Sequence, residues 1–455
     1  MEQTQKTTLF ETAPIPKAVA TLALPTVLSS LVMVIYSLAD TWFVGMLNDP
    51  IQNAAVTLAS PVLLAFNAVN NLFGVGTSSM MGRALGRKDI PTVKRCSAFG
   101  LWACIISGFL FSVFFTVCKS PLLTVLGAVP ENRAATADYL FWTVTLGAVP
   151  SILNVVMAYL VRTEGSSMHA SIGTMSGCIL NIALDPVFVL YFHMGAAGAG
   201  LATFVSNCMA CVYFFVLLFV RKGSSYVCMN PGLAKPRKDI VLGICAVGIP
   251  ASVQNLLNVT GMTVLNNFTS AFGSDAVAAM GIAYKVNMVP MQIALGSAQG
   301  VMPLISYNFG SRDYGRAKKS LLFTAKLSVS FLAAVAVLFY VFAEGLMGAF
   351  IAKEEIIAYG ARFLHGMCIS LPFLCIDFLG VTTYQACGKG LFSLIFAFLR
   401  KVVLEIPALF VLNWLFPLYG LAYAQFTAEF ILAFAAVIVL VRMFRRMERE
   451  KEGER

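Results

Sequence analysis

PTVLSSLVMVIYSLADTWFVG (residues 25–45) and GTMSGCILNIALDPVFVL (residues 173–190) decide the fold. Each supplies an apolar run close to the roughly 20 residues that a membrane-spanning helix needs. Each also carries one carboxylate, Asp40 in the first and Asp185 in the second. A carboxylate at mid-span costs about 3 kcal/mol on insertion scales. Spanning alone therefore does not account for either acid, and both are candidates for binding a cation.

The rest of the chain extends this pattern. Its 455 residues are 58% hydrophobic and only 12% charged, with a mean hydropathy of +0.80. That places it among all-α polytopic membrane proteins. Apolar segments run near 17–45, 53–80, 96–118, 136–160, 168–191 and 196–220, then 239–271, 276–307, 318–343, 356–386, 390–414 and 418–442. Together they predict about twelve transmembrane helices. The polar first 16 residues precede an apolar stretch too long for a signal h-region, so that stretch is expected to remain as a span.

The net charge of +10 is distributed by topology rather than gathered into a groove for nucleic acid. Lys and Arg cluster at 83–95, 221–238 and 312–319 and in the tail from 442, while the alternate connections hold few. The positive-inside rule then puts both termini in the cytoplasm, where the basic tail can touch anionic lipid of the bilayer. Eleven cysteines without metal-ligand spacing read as small core residues.

An internal repeat organises the chain. Pro25 matches Pro250, Ala54-Ala55 matches Ala278-Ala279, and MGRALGRKD (81–89) matches ISYNFGSRD (305–313). The register continues through Pro150 on Pro372, Gly165 on Gly388, Pro186 on Pro407 and Gly200-Leu201-Ala202 on Gly420-Leu421-Ala422. This predicts two pseudo-symmetric six-helix bundles: an N-terminal lobe over 10–221, a cytoplasmic linker over 222–238, a C-terminal lobe over 239–446 and a charged tail over 447–455. An even number of spans per half keeps both halves in the same orientation, as in transporters built from parallel repeats.

Asp40 lies eight residues before Asn48 and Asp185 eight before His193, at two outer connections. At 1.5 Å per residue both acids sit roughly 12 Å below that surface. Tyr36 lies one turn before Asp40 and Asn181 one turn before Asp185, so each acid has a polar neighbour on its own face. Pro186 removes a backbone N–H and can bend the fifth span.

The set YSLADTWFVG, MGRALGRKD, RTEG, NIALDP and GAGLAT resembles the multidrug and toxic compound extrusion (MATE) family, over nearly the whole chain. The resemblance implies a prokaryotic exporter that expels amphipathic, mostly cationic compounds in exchange for H⁺ or Na⁺. It implies Asp40, Asn181, Asp185 and Thr203 as the coupling-cation site, where Na⁺ is one candidate ion, with Tyr36 beside them and Asn154 as an outlying member. It further implies a multi-pass protein of the bacterial or archaeal cytoplasmic membrane that needs no cofactor and suffices as a monomer. The residues leave the choice between H⁺ and Na⁺ open.

In the second half, Lys285, Asp377, Arg400, Lys401, Glu405 and Glu429 all fall within predicted spans. Lys401 and Glu405 are one turn apart and can neutralise each other. Asp377 resembles the tenth-span acid of a sodium-using branch of the family, but the seventh-span Glu of that branch is replaced here by Asn258. Asp377 can instead pair with Lys285 or meet a cationic substrate. Met33, Asn67, Asn70, Gln254, Asn258, Met288, Met291 and Gln292 are expected to line a substrate chamber, mixing amides with adaptable thioethers.

Nothing points to an enzyme. The three histidines, His169, His193 and His365, stand outside any HExxH pattern, and no nucleophile elbow or P-loop is present. A lipid or polysaccharide-precursor flippase is the alternative reading, kept open by Lys285, Arg400 and Lys401.

Overall fold

The computed structural model describes residues 2–47, 49–351 and 353–453. Asn48, used above to gauge the depth of Asp40, and the last two residues of the predicted tail lie outside them. The long helices are α1 (Glu2–Glu11), α2 (Ile15–Gly45), α3 (Pro50–Gly86), α4 (Ile90–Val117), α5 (Pro130–Leu146) and α6 (Ala148–Thr163). They continue with α7 (Ser167–Tyr191), α8 (Gly195–Val220), α9 (Lys238–Ser270), α10 (Ser274–Gly310) and α11 (Tyr314–Val341). Last come α12 (Glu354–Ile369), α13 (Leu371–Ala386), α14 (390–415) and α15 (Gly420–Gly453). No strand occurs among the described residues.

Nine of these helices are long and apolar enough to cross a membrane, and counting the bent pairs α5–α6 and α12–α13 as one span each gives eleven among the described residues. The twelfth expected span, α14, is helical throughout but carries Arg400, Lys401 and Glu405 within it. The two bent pairs sit at matching places in the repeat: α5–α6 turns by 50° at Gly147 and α12–α13 by 46° at Ser370. The MGRALGRKD and ISYNFGSRD turns also fold alike. Lys88 and Arg312 take positive φ of 61° and 58°. Asp89 and Asp313 then cap α4 and α11 by accepting from the backbone N–H of Thr92 at 3.2 Å and of Arg316 at 3.0 Å.

By packing, the chain divides into two compact units, and both boundaries fall inside helices rather than in the linker. The first unit comprises α1 and Leu28–Ser252, the second Ala13–Val27 and the chain from Val253 onward. Each boundary lies two residues past a proline of the repeat, Pro25 in α2 and Pro250 in α9. Within the first unit the opening half of α9 lies tightly on α3. Ser252 donates to Ala68 O, and Gly76 and Gly248 have no room for a side chain against Ile244 and Leu72 respectively. Within the second unit Gly300 meets Ala23 of α2 as closely, and Arg316 donates to Ala13 O at 2.6 Å.

Residues 222–238 are strapped to the first unit. The Ser225 hydroxyl and the Tyr226 N–H both donate to a carboxylate oxygen of Glu164 at 2.8 Å. Cys228 N–H donates to Ser97 Oγ at 3.0 Å, and Trp102 Nε1 to Met229 O at 3.0 Å. Glu164 is itself buried, in the turn after α6. Gly165 beside it, at φ 88°, faces the buried ring of Phe10 on α1.

Candidate functional site: a buried carboxylate cluster in the first unit

One face of α7 builds the site. Gly173, Gly177, Asn181 and Asp185 recur every four residues, which stacks them along a single stripe. The two glycines let α8 approach closely: a Cβ on Gly173 would overlap the Phe214 ring, and one on Gly177 would touch Ser206 and Ala210. On α8 the facing residues are Phe214, Ala210, Ser206 and then Thr203. The small-residue end of the contact therefore delivers Asn181 and Asp185 to Thr203.

The geometry there is a relay of donors and acceptors. With its amide oriented to satisfy its neighbours, Asn181 donates to Asp185 Oδ2 at 2.8 Å. Its oxygen accepts from the Thr203 hydroxyl at 3.2 Å and the Thr203 backbone N–H at 3.0 Å. Asp185 is fully buried and Asn181 2% exposed, whereas Asp40 on α2 is half-buried. Asp40 acts electrostatically on Asp185, and Tyr36 neighbours Asp40, Asp185 and Thr203. Immediately after Asp185, Pro186 opens a π turn over Pro186–Tyr191, a local unwinding that recurs at functional sites.

The structure thus gathers Tyr36, Asp40, Asn181, Asp185 and Thr203. It also adds Tyr139, buried on α5 and within electrostatic reach of Tyr36, Asp40 and Asp185. Tyr139 is held there because Gly200 of α8 leaves room for its backbone. Asn154 goes elsewhere: it donates to Asn207 Oδ1 at 2.7 Å, and Asn207 donates to Ser151 Oγ at 2.8 Å. Two carboxylates, an amide and a hydroxyl in one buried place can take up one small cation, either a proton or a metal ion with oxygen ligands.

The residues expected to line a chamber fall into two groups. Met33 and Asn67 are exposed in the first unit, and Asn70 is buried there with its carbonyl oxygen lacking a donor. In the second unit, Gln254, Asn258, Met291 and Gln292 line a cavity of about 190 Å³ together with Tyr284, Arg400, Lys401, Glu405 and Glu429. Lys285, Met288 and Asp377 are not among its lining residues. Lys401 donates to both oxygens of Glu405 at 2.6 and 2.8 Å. Asn258 accepts from the Arg400 guanidinium. Asp377 has Glu429 and Arg400 as its charged neighbours, while Lys285 is exposed.

The MatE family model matches residues 25–187 and, a second time, residues 250–411. The chain belongs to the MATE family. The two matches begin at Pro25 and Pro250, the first anchors of the sequence repeat. Among curated relatives it is 34% identical to the multidrug export protein MepA of Staphylococcus aureus, over 95% of this chain and 94% of that one. It is 32% identical to MepA of Staphylococcus saprophyticus, over 97% of both. Among solved structures, a MATE protein in complex with MaL6 superposes with a TM-score of 0.92 at 24% identity, covering 97% of this chain and 99% of that chain. A MOP superfamily transporter from Pyrococcus furiosus, described as having a binding pocket of reverse polarity, gives a TM-score of 0.90 at 23% identity over 97% and 98%. These likenesses give the MATE fold to the whole described chain, and the family is one of multi-pass membrane multidrug exporters.

Proposed function

We propose that this MATE protein is a secondary antiporter that exports amphipathic, mostly cationic compounds in exchange for H⁺ or Na⁺ by alternating access. The observation that carries the reading is Asp185: a fully buried carboxylate clamped by Asn181, which is clamped in turn by Thr203, with Asp40 close enough to act on it. A carboxylate so placed in a spanning helix is costly when ionised and unpaired, and a proton or a metal cation offsets that cost. Because two acids share the site, a coupling ion that occupies it alters the charge presented to a cationic substrate, and the two compete. Asp185 and Asp40 hold the ion, Asn181 and Thr203 fix the geometry of Asp185, and Tyr36 and Tyr139 wall the site. The names of the staphylococcal relatives support the substrate class. The distribution of Lys and Arg supports cytoplasmic termini in a bacterial cytoplasmic membrane.

The test is efflux of ethidium from energised right-side-out vesicles under imposed proton and sodium gradients, for the wild type and Asp185→Asn. Gradient-driven efflux that disappears in the correctly inserted variant supports the reading, and the gradient that drives it names the ion. Efflux by Asp185→Asn equal to wild type defeats the assignment. A wild type that moves no organic cation, but moves lipid-linked precursors, would favour the flippase.

A further inference from the structure

One face of the last helix changes character where it leaves the membrane. On α15, Ile431, Phe434 and Ile438 are exposed apolar residues, the surface that a spanning helix turns to lipid. The other side is buried through Leu440, Met443, Phe444 and Met447. Beyond the span, Lys318 of α11 pairs with Glu448 at 3.5 Å, and Lys451 donates to Arg312 O at 2.7 Å. These contacts fix which way the end of the helix faces. Arg442, Arg445, Arg446 and Arg449 are all exposed. At 3.6 residues per turn they share one arc of about 120° with Ile431, Phe434 and Ile438. The lipid-facing stripe therefore turns from apolar to cationic at Arg442 without leaving its face.

Depth and charge agree with that placement. From Gly420 to Val441 the helix rises roughly 32 Å, close to the thickness of the hydrocarbon. The headgroup layer beyond it is roughly 5–8 Å deep, and the rise from Arg442 to Arg446 is about 6 Å. Arg449 lies about one turn further out, with a side chain long enough to reach back. Arg446 pairs with Glu450 at 2.8 Å, both side chains being largely exposed. Arg442, Arg445 and Arg449 pair with no acid among the described residues. Like charges three and four residues apart destabilise a helix, and an anion lying between them reverses the sign.

We propose that Arg442, Arg445, Arg446 and Arg449 form a binding site for the phosphates of anionic phospholipids in the leaflet where α15 leaves the membrane. A guanidinium holds phosphate through two parallel N–H donors. The acyl chains of the same lipid lie along Ile438, Phe434 and Ile431, so one molecule meets the charge and the apolar surface together. Nucleic acid or an acidic protein would match the arginines alone. The basic tail is visible in the sequence, and the packing of α15 selects the face and the four side chains. The site lies in a different unit from Asp40 and Asp185 and does not rest on the antiport reading.

The experiment is native mass spectrometry of the purified full-length protein with phosphatidylglycerol and phosphatidylcholine of identical acyl chains. The readout is the preference for the anionic lipid, in the wild type and in Arg442→Gln/Arg445→Gln/Arg449→Gln. Each basic side chain near an anionic surface is worth roughly fivefold in binding, so the preference should fall about 10- to 100-fold. The control, Lys222→Gln/Lys235→Gln/Lys238→Gln, removes the same charge from exposed positions of the linker and its junction with α9 and should keep the wild-type preference. A triple arginine variant that retains the wild-type preference, or a control that loses as much, overturns the proposal. Displacement of the bound lipid by inorganic phosphate at matched concentration would assign the stripe to a free anion and overturn it as well. If the triple variant does not elute as a single folded species, Arg445→Gln alone must lower the preference about fivefold. No change in that variant overturns the proposal.

Discussion

Replacing Glu164 by Ala should release the strap of residues 222–238 locally and by a measurable amount. The Tyr226 N–H and the Ser225 hydroxyl both end on one carboxylate oxygen at 2.8 Å, and Glu164 and Tyr226 are buried. A hydrogen bond to a charged acceptor contributes about 1.5–3 kcal/mol, and the orphaned N–H gains no replacement partner from alanine. Local opening at Tyr226 should become easier by that amount. With tenfold per 1.4 kcal/mol, amide exchange there should accelerate roughly 10- to 100-fold. The assay is hydrogen–deuterium exchange with mass spectrometry on the detergent-purified protein, resolving the peptide that covers the strap. Cys228 is the internal control, because its N–H donates to Ser97 Oγ rather than to Glu164 and should keep its protection. Acceleration at both positions would mean that the strap opens as one piece. Exchange at Tyr226 within twofold of wild type would refute the reasoning, since the carboxylate would then not be what holds the segment.

Three further outcomes follow from the geometry. Asp89→Ala removes the cap of α4 and should cost about 1 kcal/mol in thermal unfolding of the purified protein. Hydrogen bonding from Thr92 holds the Asp89 carboxyl below its ordinary pKa, so the cap contributes fully above that ordinary value and fades as pH falls through the lowered one. The difference between wild type and variant should accordingly shrink in acid. Gly173→Leu forces a side chain into Phe214 and should destabilise by about 1–3 kcal/mol while lowering efflux; Gly281→Ala, with open space around it, is the control and should be neutral or slightly stabilising. Asn154→Ala strands Asn207 and should cost about 1–3 kcal/mol of stability while leaving the ion dependence of efflux at its wild-type value. A shift in that dependence would place Asn154 in the coupling site after all.

Hydropathy, the repeat and the two carboxylates were legible from sequence because each is a local or periodic signal. Asp185 and Asn181 share a face by helical period alone, and the Gly173–Gly177 spacing that seats α8 was equally open to reading. Tyr139 was not legible. Nothing in a span distinguishes an aromatic that packs from one that walls a polar site, and its approach depends on Gly200, far along the chain. Asn154 and Asn207 are polar residues on facing helices, and only the packing of α6 on α8 shows that they bind each other. The sequence offers Asp377 either Lys285 or a cationic substrate as partner, because its charged neighbours in the structure, Arg400 and Glu429, lie on helices whose contact no sequence period encodes. The bends at Gly147 and Ser370 fall near Pro150 and Pro372, but a proline marks a place where a helix can turn without stating the angle.

The placement of the unit boundaries within α2 and α9 bears on how the protein is made. Residues 239–252, which seat against Leu72 and Gly76, leave the ribosome only after the whole of the first repeat and the strap. The first unit cannot reach its final packing until the opening half of α9 has entered the membrane. The second unit has the opposite schedule, since its earliest segment, 13–27, is inserted first and waits for Gly300. A gene divided at the linker would therefore yield two fragments that each lack a piece of their own unit and hold a piece of the other. Such fragments should accumulate only when synthesised together in one membrane.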